Sequence, residues 1–459
     1  MNTEIELKFL VLNKDITEPT TDKITKLLQE KKYNFVCQEK ELINSYFDTP
    51  DLQLRQLDMG LRVRKSIDTL GVYAVEQTMK TSGKVMGGLH QRPEFNVDID
   101  TNFPVLSQFP QTMWPNNKNI EEIQNQLVSL FSTNFKRLFW QISIEGVNGR
   151  QSEIELVFDQ GTIETHGRKE LLCEIELELV SGTLNDLLML AKVLCFGLHI
   201  RPGIKSKAAR GYALWQNDIA KTNVNTAKKT EYLSDDHQLA DLALIPLNSP
   251  NNLNQAFIRG IDFGLMQLQK LVDTYSEKPA LTLLNKIIEI LALLRQGFWL
   301  FEYYLDPKMK KLRNELSFFI KKLHWVEDAC HLKELTTKTG NYRTKLYYSD
   351  SLVVQLKSEK NNFPNSEQII ELFHSARFNR LQLSLLEILL SVEEVVDQDK
   401  IPKELLEVSN FAQSTLESSL QCLLELMPKE GELSARQYLA HHKLLIRSLL
   451  TGSWFGSLF

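Results

Sequence analysis

Thr3-Glu4-Ile5-Glu6-Leu7-Lys8-Phe9-Leu10 alternates charged and apolar side chains one for one. Successive side chains of a β-strand leave opposite faces, so Glu4, Glu6 and Lys8 share one face and Ile5, Leu7 and Phe9 the other. The same pattern returns down the chain. Arg62 and Arg64 share a face, as do Thr78 and Lys80, and Arg92 and Glu94. Glu153, Glu155 and Asp159 alternate with Ile154, Leu156 and Phe158, and Glu174, Glu176 and Glu178 with Ile175, Leu177 and Leu179.

Alternation of this kind predicts strands at 4–10, 61–65, 71–78, 92–98, 139–146, 152–159, 161–165 and 171–180. Turn signals at Asn148-Gly149, Gln160-Gly161 and His166-Gly167 separate the later ones. Amphipathic helices are predicted at 21–32 and 120–132, and from a Thr183 cap to 196. About eight antiparallel strands with few crossovers predict a closed or nearly closed β-barrel. Two arrangements are open. The charges face solvent around an apolar lumen, or they face inward and the helices cover the apolar outer surface.

Beyond residue 215 the period becomes helical. Leu284, Ile287, Ile288, Leu291 and Leu294 form one stripe, and Leu381, Leu385, Ile388 and Leu389 another. Breakers at Pro250, Pro279, Pro307, Gly340, Pro364, Pro402 and Gly431 cut this half into about eight helices, an all-α bundle. The expected class is therefore α+β, with domains at 1–218 and 233–459 and a polar linker at 219–232.

Composition narrows the function. A net charge of −5 over 459 residues gives no support for a general nucleic-acid or membrane-surface binder. Cys37, Cys173, Cys195, Cys330 and Cys422 form no CxxC pair and read as reduced thiols, pointing to the cytoplasm. The richest apolar stretch, 287–305, is broken by Glu289, Arg295 and Glu302, too soon for a membrane span. No Walker-type glycine loop is present. Rows of carboxylates repel one another unless cations relieve them. With the charges inward, Lys8, Arg62, Arg64, Lys80, Arg92, Lys205 and Lys207 would surround an anion, and the carboxylates beside them would suit divalent metal bridging to phosphate.

These residues resemble the CYTH, or triphosphate tunnel metalloenzyme, superfamily. Glu4-x-Glu6-x-Lys8 looks like its ExExK motif. Further blocks follow in order: Ser45-Tyr46-Phe47-Asp48-Thr49-Pro50, Gly60-Leu61-Arg62-Val63-Arg64, Glu76 to Lys80, Arg92-Pro93-Glu94, Glu174-Ile175-Glu176-Leu177-Glu178 and Lys205 to Tyr212. The resemblance covers about residues 1–215 and implies an eight-stranded barrel that binds a triphosphate with Mg²⁺, or Mn²⁺ as the alternative ion. It implies metal ligands at Glu4, Glu6, Glu155, Asp159, Glu174 and Glu176. Phosphate contacts fall to Lys8, Arg62, Arg64, Lys80, Arg92, Arg137 (with Lys136 as its rival), Lys205 and Lys207, with Glu94 supporting the basic wall. Glu4, Glu6, Lys8, Lys80 and Glu176 are the expected catalytic set. The helical half is similar in position and composition to a CHAD domain, and the pair looks like the bacterial inorganic triphosphatases. The expected reaction is metal-assisted attack of water on tripolyphosphate, giving pyrophosphate and phosphate. The alternatives are a class IV-type adenylyl cyclase, a thiamine or nucleoside triphosphatase, and a non-catalytic polyphosphate-binding protein. Neither nucleic acid nor membrane is an expected partner. Residues 221–459 carry a net charge of about −1, so any polyphosphate contact there is local.

Overall fold

The computed structural model describes residues 2–12, 19–68, 71, 73–115, 118–145, 149–222, 244–248, 252–337, 350–391, 395–426 and 433–459. The chain divides into two units, Met1–Ser234 and Asp235–Phe459. Most of the expected linker, and the signals at Asn148, Pro250, Gly340 and Gly431, lie outside the described residues.

In chain order the first unit runs β1 (Asn2–Val11), α1 (Thr20–Glu30), β2 (Asn34–Asp48), α2 (Gln53–Gln56), β3 (Gly60–Asp68), β4 (Tyr73–Lys80), β5 (Lys84–Met86) and β6 (Leu89–Asp98). Then come α3 (Ile120–Gln126), β7 (Val128–Glu145), β8 (Gln151–Glu164), β9 (Lys169–Ser181), α4 (Leu184–Gly197), β10 (Ile200–Pro202) and α5 (Lys207–Thr222). Strand β1 pairs antiparallel with both β9 and β6. The ring β1-β9-β8-β7-β2-β3-β4-β6 therefore closes into an eight-stranded antiparallel barrel, with β10 and β5 as short additions.

Register brings the charged rows onto one face. Glu4 lies opposite Arg92, and Glu6 opposite Glu178 on the other side. Lys8 faces Glu176, Lys80 faces Glu94 and Arg137 faces Asp159. This face is the lumen, so of the two open arrangements the charges-inward one is found. The apolar face packs outward. Leu7, Phe9, Leu156, Ile175 and Leu177 are buried, with α4 on β9 and α1 on α4. On the far side Phe47, Leu61, Val63 and Met79 lie beneath Ile99, Leu106, Phe109, Trp114 and Ile123 of the 99–115 segment and α3. Burial that a small barrel usually places inside is thus supplied by an external layer. The Thr183 side chain caps α4, accepting from the Asp186 amide, as expected.

Four local expectations are corrected. The helix expected at 120–132 ends at Gln126, and β7 begins at Val128. Ile123, Leu127, Leu130 and Phe131 sit at helical spacing, but the β2–β7 ladder outweighs that local preference. Strand β2 was not expected. Its first half is largely exposed, so no alternation announces it. Helix α5 continues to Thr222, past the expected limit at 218. Finally, Gln160-Gly161 is no turn, because β8 runs through it. Gly161 is there for space: a Cβ would lie 2.1 Å from the Asn134 carbonyl oxygen and 2.5 Å from the Phe135 Cα. Gly161→Ala is expected to destabilise the first unit by about 2 kcal/mol or more, since backbone must move. Urea unfolding monitored by circular dichroism checks this.

Helix α5 packs against β7 and β8, and its Lys207, Ala208 and Tyr212 line the lumen. Its Tyr212 joins Leu42, Tyr46, Phe131, Phe135, Ile163 and Leu172 in an apolar cluster. Asp48 anchors it. The carboxylate accepts from the amides of Thr49 (2.8 Å), Leu54 (2.8 Å) and Arg55 (3.0 Å) and from the Tyr212 hydroxyl (3.0 Å). Asp48 is fully buried, so Asp48→Ala strands several donors and should cost roughly 3 kcal/mol. Asp48→Asn should cost less, and urea midpoints of the two variants give the comparison.

The second unit is helical: α6 (Leu253–Glu277), α7 (Leu281–Leu300), α8 (Lys310–Lys322), α9 (Trp325–Thr336), α10 (Asp350–Ser358), α11 (Ser366–His374), α12 (Ala376–Leu390), α13 (Val408–Leu426) and α14 (Ala435–Phe455). That is nine among the described residues, against about eight expected. Leu284, Ile287, Leu291, Leu294, Leu381, Leu385 and Ile388 of the expected stripes are buried. Trp454 of α14 fills the space above Gly260 and Gly297 and donates to the Leu293 carbonyl at 2.9 Å. Among the described residues no helix is long and apolar enough to cross a membrane.

Candidate active site

The lumen encloses a cavity of about 950 Å³. Of the residues singled out in the sequence, Glu4, Glu6, Lys8, Arg62, Arg64, Lys80, Arg92, Glu94, Arg137, Glu155, Glu176 and Lys207 line it. Asp159 and Glu174 lie just behind its wall, fully buried. Lys205 stands apart: it is exposed and outside the lining, because it precedes the first turn of α5 while Lys207 opens it.

Two charge clusters divide the site. The deep one is compensated internally. Arg137 donates from Nε and Nη2 to the two Asp159 oxygens, both at 2.8 Å, and from Nη2 to Glu176 at 3.3 Å. Lys207 Nζ lies 2.8 Å from Asp159 and 3.0 Å from Glu176 and also pairs with Glu174. Lys8 pairs with Glu176 and lies 3.6 Å from Glu174. Arg210 reaches Glu174 at 3.1 Å. Asp159, Glu174 and Glu176 offer oxygens within 4.8 Å of one another, spacing that could hold a metal. In this arrangement the Lys207 ammonium already sits among them. Despite burial, Lys207, Lys8 and Arg137 hold Glu176 well below the usual carboxylate range.

The open cluster is not balanced. Burial pushes the Glu4 carboxyl up to about 8, with Glu6 and Glu94 adding to the rise against Lys80. Burial and Glu155 push Glu178 up to about 7. Both carboxyls are thus held towards their neutral forms, which a cation beside them would reverse. Across the cavity the charge is positive: burial, Arg62 and Arg137 push Arg64 down to about 9. Arg64 is held by Asn44 Oδ1 at 2.8 Å. Nε of Arg62 and of Arg92 are buried donors without a partner. Lys80 pairs with Glu4 and lies 3.1 Å from Glu94, whose other oxygen is 3.4 Å from Arg62. Against the rise that burial imposes, Lys80 and Arg62 hold Glu94 at about 2. Glu94 therefore bridges Lys80 and Arg62.

An anion alone would relieve only the guanidinium side, and a cation alone only the carboxylate side. Hard carboxylate oxygens beside orphaned guanidinium donors fit a metal-bound polyanion, which relieves both.

Glu178, which stands in the charged row, and His90, which reads as a structural histidine, were not among the expected site residues but line the cavity. Glu178 shares parity with Glu174 and Glu176, and the β8–β9 register carries it beside Glu155. His90 shares parity with Arg92 and Glu94. Burial, then Lys8, push its imidazole down to about 4, so it is neutral near pH 7. Parity with charged neighbours was the available signal for both.

Residues 2–212 match the family model described as CYTH domain. The N-terminal unit is a CYTH domain. It is 37% identical over 176 residues to the inorganic triphosphatase of Haemophilus influenzae. That match covers 37% of this chain and 45% of the relative, so the chain spans less than half the length of that protein. Among solved structures, a Hippeastrum protein described as having a dominant triphosphatase activity aligns with 47% of this chain and 96% of its own (TM-score 0.30, 19% identity). The CHAD domain from Ricinus communis aligns with 49% of this chain and 72% of its own (TM-score 0.35, 15% identity). The family assignment rests on the sequence match of the CYTH domain.

Proposed function

We propose that the CYTH domain is a metal-assisted triphosphatase whose substrate is inorganic tripolyphosphate, cleaved to pyrophosphate and phosphate. The observation that carries this reading is the lining of one cavity by two kinds of group, guanidiniums at Arg62, Arg64 and Arg92 and carboxyls at Glu4, Glu6, Glu155 and Glu178. The 37% identity to an inorganic triphosphatase supports the choice of substrate.

Glu4, Glu6, Glu155 and Glu178, with Glu176 at the inner boundary, would hold the divalent ion, Mg²⁺ or Mn²⁺. When bound, it neutralises phosphate charge and makes a nearby water a stronger nucleophile. Arg62, Arg64 and Arg92, which line the cavity, would bind phosphate oxygens. Lys80, fixed between Glu4 and Glu94, holds the phosphate chain beside the carboxylate row. Lys8 and Arg137, tied to Glu176, cap its inner end and stabilise charge on the leaving pyrophosphate. Water adds to the terminal phosphorus, the bridging P–O bond breaks, and no protein group is covalently modified. Most of the rate enhancement comes from positioning and preorganised charge.

The helical unit, which we read as a CHAD-like domain, is a candidate polyphosphate contact. The cytoplasm is the compartment that the chain's separated cysteines, all free, favour. Phosphate release from tripolyphosphate, ATP and thiamine triphosphate, with and without Mg²⁺, tests the reading. Fast Mg²⁺-dependent release from tripolyphosphate alone is expected. Cyclic AMP from ATP would make the protein a cyclase, and tight binding without turnover would make it a binding module.

A further inference from the structure

His90 is buried, at 2% exposure, lines the cavity and takes no part in the chemistry proposed for it. It lies opposite Glu6 in the β1–β6 ladder. Its Nε2 is 3.4 Å from the Gly203 carbonyl oxygen. A carbonyl can only accept, so Nε2 carries the ring proton and Nδ1 keeps a lone pair. Nδ1 is buried and has no hydrogen-bond partner among the described residues. An orphaned acceptor of this kind costs free energy until something donates to it. Lys8 is the donor at hand. Its amide donates to the Gly88 carbonyl at 3.2 Å, and its carbonyl accepts from the Gly203 amide at 2.8 Å. A Cβ on Gly203 would lie 3.1 Å from the Lys8 Cγ. The imidazole and the Lys8 stem thus meet at one residue. Burial and then the Lys8 ammonium keep the ring neutral near pH 7.

We propose that His90 is the positioning residue for Lys8, its Nδ1 accepting from the Lys8 ammonium once metal-bound phosphate occupies the lumen. The inference rests on the triphosphatase reading of that lumen. In this structure Lys8 Nζ pairs with Glu176 and lies 3.6 Å from Glu174 and 3.8 Å from Glu6. Glu6 and Glu176 are among the groups that would hold the divalent ion. Committed to it, they offer less to Lys8, which then needs another acceptor to keep its place beside the phosphate chain. An ammonium has three donors, enough for a phosphate oxygen, Nδ1 and one remaining carboxylate. A neutral acceptor suits this task. A carboxylate in its place would offset the charge that Lys8 brings to the leaving pyrophosphate. The imidazole fixes the ammonium and leaves that charge for the phosphate.

Multiple-bond proton–nitrogen NMR of the isotope-labelled full chain reads the ring directly, the His90 signals being assigned by their loss in His90→Asn. A neutral ring protonated at Nε2 is expected. Its Nδ1 resonance should shift when Mg²⁺ and imido-bridged tripolyphosphate are added together. Kinetics gives a second readout. His90→Leu is expected to lower kcat and kcat/KM for tripolyphosphate together by about tenfold, the mark of an interaction made in the transition state. Far-UV circular dichroism should be unchanged. His90→Asn, whose Oδ1 stands close to the place of Nδ1, should come within about threefold of the wild type. A ring protonated at Nδ1, an Nδ1 resonance indifferent to the added pair, or full turnover in His90→Leu would each overturn the proposal. A wild type whose Nδ1 resonance responds but which does not cleave tripolyphosphate would overturn the triphosphatase reading and leave the Lys8–His90 contact standing.

Discussion

Glu6→Gln is expected to lower turnover of tripolyphosphate by about a thousandfold while leaving the barrel folded. Glu6 sits at the middle of the unbalanced carboxylate row, opposite Glu178 on one side and His90 on the other. Glutamine keeps its length and shape but removes the charge that a divalent ion needs. The loss should fall mainly on kcat, and the Mg²⁺ concentration giving half-maximal rate should rise. Both readouts come from one metal titration, with far-UV circular dichroism checking the fold. Full metal-dependent turnover in Glu6→Gln would remove this residue from the site.

Lys207→Met is expected to cost about 3–5 kcal/mol of stability, because it leaves buried carboxylates without their central cation. Asp159 and Glu174 are fully buried, and Lys207 contacts both as well as Glu176. Lys8, Arg137 and Arg210 remain, so the domain should still fold. Unfolding midpoints in urea give the size of the loss. Millimolar Mg²⁺ should raise the variant's midpoint more than the wild type's, since Asp159, Glu174 and Glu176 offer oxygens within 4.8 Å. A variant as stable as the wild type would mean that the deep cluster is not held together by this lysine.

Much of the site was legible because a strand has a period of two: finding Glu4, Glu6 and Lys8 on one face required only their spacing. Which face turns inward was not legible, since each strand offers a complete apolar face and a complete charged one. Ring closure and the outer helices decide it. Depth along the lumen was also hidden. Glu174, Glu176 and Glu178 are equivalent by parity, but register with β8 puts Glu178 in the cavity and Glu174 behind the wall. Lys205 and Lys207 look alike by the same parity. Their fates differ because α5 starts between them and the period changes there. Gly161 shows the opposite failure: its resemblance to a turn signal is local, whereas its role is to admit a neighbouring strand's backbone.

The central claim is that the lumen binds phosphate and cation together, each meeting groups that the other cannot. Calorimetric titration with an imido-bridged, non-hydrolysable tripolyphosphate, in the presence and absence of Mg²⁺, tests it most directly. The account predicts that Mg²⁺ tightens binding about a hundredfold, and that the analogue tightens Mg²⁺ binding by the same factor. Equal affinity with and without the metal would contradict it.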